Sequence, residues 1–158
     1  MLFRSYSGKW EFAEDGIIYK GSFTDGKKNG EWESVYHLNN HYKSIETWKN
    51  GKEIDGAITY YPSGKIWMME NYDFGSLDGE YKEYFANGKI MTKGSYCDGQ
   101  KIGVWYYFNP NGNMIKQESW ENGKLNGKVI EFYLGNGLLK ERSTYRDGIK
   151  IDSTLYNN

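Results

Sequence analysis

A chain of 158 residues is long enough for one domain with its own core, and an aromatic share of 18% is too high for a disordered segment. The 20 basic and 21 acidic residues leave a net charge of −1, without the basic excess that phosphate neutralisation or an electrostatic membrane surface calls for. Glycine is abundant at 20 and proline scarce at 2, which points to many tight turns between aromatic-rich strands rather than to flexible linker.

The N-terminus, MLFRSYSGKW, has no apolar stretch of signal-peptide type, and no run approaches the roughly 18 apolar residues that a membrane-spanning helix needs. The reading is therefore cytoplasmic, and an integral membrane protein is not expected. Cys97 is the only cysteine, so an internal disulfide is impossible.

Gly8 and Trp10 open the first unit. From there an aromatic residue stands three places before a glycine at regular intervals: Phe23 before Gly26, Trp48 before Gly51, Tyr72 before Gly75, Tyr96 before Gly99, Trp120 before Gly123 and Tyr145 before Gly148. The aromatics are 24 or 25 residues apart, which is the mark of a repeat array. A second glycine follows each pair: Gly30, Gly56, Gly79, Gly103 and Gly127, with Asp152 in the last unit. Two places beyond these glycines come Trp32, Ile58, Tyr81, Trp105 and Val129.

Each unit reads as a β-hairpin. One strand runs to an aromatic pair such as Tyr60-Tyr61, Tyr84-Phe85 or Tyr107-Phe108, a Gly-containing turn follows, and the return strand ends at the aromatic anchor. Thirteen of the 20 glycines follow Asn or Asp, a pairing that accepts the positive φ of tight hairpin turns. The expected fold is all-β: a single-layer, elongated, curled antiparallel sheet of about six units. Their bounds are 8–29, 30–55, 56–78, 79–102, 103–126 and 127–152, with a C-terminal cap over 153–158, all in one domain. Leu2 and Phe3 are expected to cover the first edge, and Ile151, Leu155 and Tyr156 the last.

Strand alternation assigns the faces. The six anchors Phe23, Trp48, Tyr72, Tyr96, Trp120 and Tyr145 share one face with Ile17, Tyr42, Ile66, Ile90, Met114 and Leu139. Between them lie Gly21, Glu46, Glu70, Gly94, Glu118 and Ser143. The anchors are read as structural, because a row of them is buried only when neighbouring units stack. On the other face, Ile45, Trp67, Met69, Met91 and Ile115 interrupt an otherwise polar surface and are the candidate partner-binding residues. Trp67 with Met69 and Met91 reads either as an anchor for a partner or as a bulge that turns inward.

The stretch from Tyr19 to Trp32 resembles a MORN repeat, with its Tyr-x-Gly-x-aromatic-x-x-Gly-x-x-x-Gly pattern, and Thr92 to Trp105 is a second match. Tyr60-Tyr61-Pro62-Ser63-Gly64-Lys65 followed by Glu70 to Gly75 resembles the longer bacterial MORN-variant repeat. The segment from Gly30 to Gly56 departs from it, with His41-Tyr42 in place of Gly-Lys. The resemblance implies the elongated, slightly curled single-layer sheet. Chains made only of the variant repeat are similar to the bacterial YwqK family, which implies an antitoxin or immunity-type protein acting on a cognate toxin or effector.

Chemistry is hard to find. His37 and His41 lie in a turn without a cysteine or acidic cluster, so no metal site is expected. Glu46, Glu70 and Glu118 are better explained as acceptors of hydrogen bonds from turn amides or Tyr hydroxyls than as catalytic carboxylates. Cys97 lacks an activating base. No catalytic residue, no cofactor and no nucleic-acid partner is expected, and the oligomeric state is open. The reading is a non-catalytic, protein-binding repeat chain that neutralises a partner by occlusion. A structural or membrane-associated scaffold and an enzyme with a site built across repeats remain as alternatives.

Overall fold

The computed structural model describes residues 7–36, 43–133 and 137–156. Tyr42, His37, His41, Leu2 and Phe3 lie outside the described residues. Every element among those described is a strand. They are β1 (Gly8–Glu14), β2 (Ile17–Thr24), β3 (Lys27–Tyr36), β4 (Lys43–Lys49), β5 (Lys52–Tyr60), β6 (Ile66–Asp73) and β7 (Ser76–Leu77). The rest are β8 (Gly79–Tyr84), β9 (Ile90–Cys97), β10 (Gln100–Phe108), β11 (Met114–Glu121), β12 (Lys124–Phe132), β13 (Leu139–Arg146) and β14 (Ile149–Leu155). The chain divides into two compact units, residues 1–76 and 77–158. In each, antiparallel strands follow chain order, β1 to β6 in the first and β8 to β14 in the second.

The anchor-x-x-Gly motifs are the hairpin turns. Asp25 and Gly26 have φ of 49° and 73°, and Asn122 and Gly123 have 49° and 71°. Two successive positive φ values make the type I′ geometry whose twist matches that of the flanking strands. Turns of successive hairpins are tied together. The amide of Gly51 donates to the carbonyl of Lys28 at 2.9 Å, that of Gly75 to Glu53 at 2.8 Å, that of Gly99 to Leu77 at 2.8 Å and that of Gly123 to Lys101 at 3.1 Å.

Beyond the turns at Gly26, Gly51, Gly99 and Gly123 the ladder skips two residues, and beyond Gly148 it skips one, Ile151. Ser22 pairs with Asn29, whereas Lys20 pairs with Glu33. Ser95 pairs with Ile102, whereas Lys93 pairs with Tyr106. The second glycine supplies this bulge, with φ of 80° at Gly30, 108° at Gly79, 66° at Gly103 and 106° at Gly127. In the second hairpin the residue that does so is Asp55, with φ of 58°, and not Gly56. The residue equivalent to Trp32 is consequently Ala57, which pairs with Glu70 as Trp32 pairs with Glu46. Ile58 turns to the other face.

This register builds one cross-strand row per unit. In the first it runs Trp10, Gly21, Trp32, Glu46, Ala57, Glu70. In the second it runs Tyr81, Gly94, Trp105, Glu118, Val129, Ser143, Ser153. Trp32 and Trp105 are the largest fully buried side chains among the described residues. Each lies flat over a glycine of the preceding strand: a Cβ on Gly21 or Gly94 would come within 2.2 Å of the indole. The indole N–H groups donate to the carbonyls of Ser22 at 3.1 Å and Ser95 at 3.3 Å, so burial leaves no donor unmet. Where the row carries a small residue, Ala57 or Val129, its neighbours across the ladder include Glu46, Glu70 or Glu118. Bulk at one rung is thus matched by its lack at the next.

The expected curl is corrected: within each unit the sheet is not curled. Strands pair in simple sequential order, and the alternation of tryptophan over glycine and glutamate beside alanine or valine keeps the row's bulk even. Large side chains also occupy the second face, Ile45 and Met69 among them.

Gly94→Ala is expected to lower unfolding stability by about 1–3 kcal/mol through overpacking against Trp105. Trp105→Ala is expected to cost about 3–5 kcal/mol through cavity formation. Because the two residues touch, the double variant should cost less than the sum of the singles in urea denaturation. Strict additivity would show that the ring does not rest on the glycine.

Candidate functional site

Three of the five expected partner-binding residues fall in the first unit and two in the second. Ile45 on β4 pairs with Ile58 on β5, which pairs with Met69 on β6, giving a cross-strand apolar row opposite the tryptophan row. Trp67, two residues before Met69, is the extra residue of a β-bulge, since Met68 pairs with Thr59 and Ile66 with Tyr60, and its ring lies 6.0 Å from that of Tyr61. All four apolar side chains are half-buried. Beside them is an open concavity of about 430 Å³ lined by Val35, Lys43, Ile45, Tyr60, Tyr61 and Pro62. Met91 on β9 and Ile115 on β11 are half-buried in the second unit.

Ile58, Val35 and Tyr60 were missed in the sequence. The signal for Ile58 was the spacing: Gly51 to Asp55 is four residues, as Gly26 to Gly30 is. Taking Asp55 rather than Gly56 as the bulge residue turns Ile58 outward beside Ile45.

The anchor face carries polar chemistry inside aromatic surroundings. In the second unit the Lys101 ammonium lies 4.1 Å from the Trp105 ring centroid, 5.0 Å from that of Trp120 and 5.7 Å from that of Tyr107. Burial lowers the pKa of this lysine. Glu118, 6% exposed, accepts hydrogen bonds from the Tyr107 hydroxyl at 2.6 Å and the Trp120 indole at 2.9 Å, and pairs with Lys116 at 2.7 Å. Burial pushes the Glu118 carboxyl up, but these donors outweigh it and hold the group below its usual range. Burial and the Glu118 carboxylate together raise the Tyr107 phenol.

The first unit repeats the arrangement. The Lys28 ammonium sits 4.6 Å from the Trp32 ring and 4.4 Å from that of Trp48, and Glu46 accepts from the Trp48 indole and the Ser44 hydroxyl, both at 3.0 Å. Lys28 and Lys101 each stand five residues after an anchor, a regularity present in the sequence but not singled out there. The anchors are half-buried along this face: Phe23 meets Trp32 edge-on at 5.0 Å and Tyr96 meets Trp105 edge-on at 5.0 Å.

What this assembly does chemically is bind itself. Its carboxylates are occupied as hydrogen-bond acceptors, as the sequence suggested for Glu118, although the donors include indoles and a serine hydroxyl besides a tyrosine. Among the described residues no three His, Cys, Asp or Glu side chains come together in a way that would hold a metal ion. Cys97 is exposed, and the charge of Asp78 followed by partial desolvation raises its thiol pKa, the opposite of nucleophile activation. Among the described residues no helix is long and apolar enough to cross a membrane.

Residues 57–73, 77–98 and 101–122 match the family described as MORN repeat variant. No curated protein matches the sequence. Among solved structures, the chain is similar to a mutant of S. aureus TarM in complex with fondaparinux, alpha-GlcNAc-glycerol and UDP. The identity is 18% and the TM-score 0.29, over 75% of this chain and 21% of that one, so the match spans about a fifth of the TarM chain.

Glu53, opposite Trp48 on β5, is pushed up to about 7 by burial and by the charges of Glu46 and Glu70, with Lys28 pulling the other way. The unfolded chain ionises this group near 4.5. Between those values the unfolded state gives up a proton that the folded state keeps, so this residue's contribution to stability falls as pH rises from about 4.5 to about 7. Glu53→Gln is expected to stabilise the protein by about 1 kcal/mol above that window, allowing for solvent screening of a half-exposed group, and to be neutral below it. A gain of equal size at both ends of a pH series of urea midpoints would contradict the assignment.

Proposed function

Starting from a chain that carries MORN-variant repeats between residues 57 and 122, we propose that it is a non-catalytic protein-binding module. It acts in the cytoplasm as an antitoxin or immunity-type protein that occludes a toxin or effector. MORN-repeat architecture suits protein–protein interaction. The observation that carries the reading is the first unit's outer row of Ile45, Ile58 and Met69, with Trp67 beside it and the concavity of about 430 Å³ alongside.

An apolar strip with a tryptophan and a methionine, bordered by Lys43 and Glu33, has the composition of an interface centre with a charged rim. These residues stand on paired strands, so little ordering entropy is lost on association and more of the contact free energy appears as affinity. Met91 and Ile115 offer a second, smaller patch in the other unit.

The test is co-expression with the product of the adjacent gene. Wild type is expected to co-purify with it and to relieve its toxicity. Trp67→Ala is expected to weaken binding at least tenfold, the loss of about 1.4 kcal/mol or more that truncating an interface tryptophan brings. Undiminished binding by Trp67→Ala would move the interface off this face. Flotation with anionic vesicles in place of complex formation would favour the scaffold reading.

A further inference from the structure

On the face opposite the tryptophan row, the two units carry the same cross-strand row with different charge. In the first it runs Glu11, Lys20, Glu33, Ile45, Ile58, Met69. In the second it runs Lys82, Lys93, Tyr106, Gln117, Ile130, Arg142. The first row alternates in sign and is internally neutralised, with Lys20 on Glu11 at 3.5 Å and Glu33 on Lys43 at 3.0 Å. In the second, Lys82, Tyr106 and Arg142 stand where Glu11, Glu33 and Met69 stand. Lys82 has a carboxylate, that of Glu80 at 2.8 Å. Among the described residues no ion pair engages Lys93 or Arg142.

Lys93 also lies directly opposite Lys82, a like-charge pairing that costs stability. Its ammonium rests 5.0 Å from the Tyr106 ring centroid, and the residue is half-buried, so it has lost part of its hydration without gaining a counter-charge. The chain as a whole carries −1, so this positive surplus comes from placement and not from composition. The row borders an open concavity of about 760 Å³ lined by Lys93, Tyr106, Phe108, Asn113, Met114 and Phe132. Arg142 is exposed on β13, the strand after that of Phe132, and stands roughly 19 Å from Lys93 at four strand spacings.

We propose that this face binds an acidic segment of a partner protein, with apolar side chains filling the concavity and carboxylates reaching Lys93 and Arg142. Charge selects the occupant: two cations without counter-charges beside aromatic surface favour carboxylates with apolar neighbours and penalise a basic segment. A carboxylate that meets Lys93 strips little further water from it, which keeps the desolvation cost of the new pair small. Side chains can enter the concavity, whereas a flat headgroup layer cannot. The proposal rests on the protein-binding reading above but not on the partner being a toxin.

Selection of random dodecapeptides displayed on phage against the full chain tests it. Recovered peptides are expected to be richer than the input in Asp and Glu together with Leu, Phe or Trp. For a fluorescein-labelled copy of the most enriched peptide, Lys93→Ala with Arg142→Ala should raise the dissociation constant roughly tenfold or more. Tyr106→Glu, which copies Glu33 of the first unit, should do the same. Lys93→Met keeps an aliphatic stem on the Tyr106 ring and should still weaken binding, which separates charge from packing. Lys20→Ala and Trp67→Ala, both in the first unit, should bind like wild type. The Trp67 variant thus keeps this test distinct from that of the antitoxin reading. Far-UV circular dichroism checks that each variant keeps the fold. Recovery of neutral or basic peptides, recovery of none above background, or a double variant that binds like wild type overturns the proposal. So does flotation of the full chain with phosphatidylserine vesicles that the double variant loses, since the face would then serve a lipid surface.

Discussion

Everything in each unit depends on how bulk is shared along one cross-strand row. A hairpin has no interior of its own, and a single-layer sheet has no second layer to bury against. The chain solves this within the row. Trp32 and Trp105 lie over Gly21 and Gly94, where any side chain would collide with the ring, and the next strand brings Glu46 or Glu118 against the other side. The stacked rungs provide what two layers provide elsewhere: dry contact for an indole and an acceptor for its N–H.

The polar groups on that face follow from the same geometry. A lysine five residues past the anchor rises into the space between two tryptophan rings and covers them with its methylene stem and its charge. A glutamate in the middle of the row then accepts from the indole of the next anchor. The result is a surface in which the charges are already used, which is why the carboxylates and lysines that look reactive in the sequence are structural. Glu53 is the exception. It stands where Lys28 and Lys101 stand in their own hairpins, close to Glu46 and Glu70, and its raised pKa records the mismatch.

The repeat, its period and the turn positions were legible in the sequence, because Asx-Gly turns and anchor aromatics are local signals fixed by backbone sterics. The alternation of faces followed, and it placed Ile45 beside Met69 on the surface opposite the tryptophans. Two things were not legible. The bulge residue of the second hairpin is Asp55, a left-handed aspartate beside a glycine that looks like the better candidate; the choice between them turns on cross-strand pairing, which no local pattern contains. The absence of curl was also hidden, since it depends on the sum of side-chain volumes over two faces rather than on any one repeat.

The row of matched large and small residues has a bearing on how such arrays grow. Hairpins of nearly equal length and like turns look interchangeable, and unequal recombination can add or remove one without disturbing the turns. Yet the hairpin that contributes Trp32 fits only after a strand that offers Gly21, and the one that contributes Ala57 only beside a strand that offers Glu46. A hairpin inserted out of step would set an indole over a side chain instead of over a glycine, or leave glycine beside alanine. A change in the number of units therefore keeps the row packed only when it comes in compatible blocks, and the residue at one position in the row restricts its cross-strand neighbour more tightly than its counterpart further along the chain.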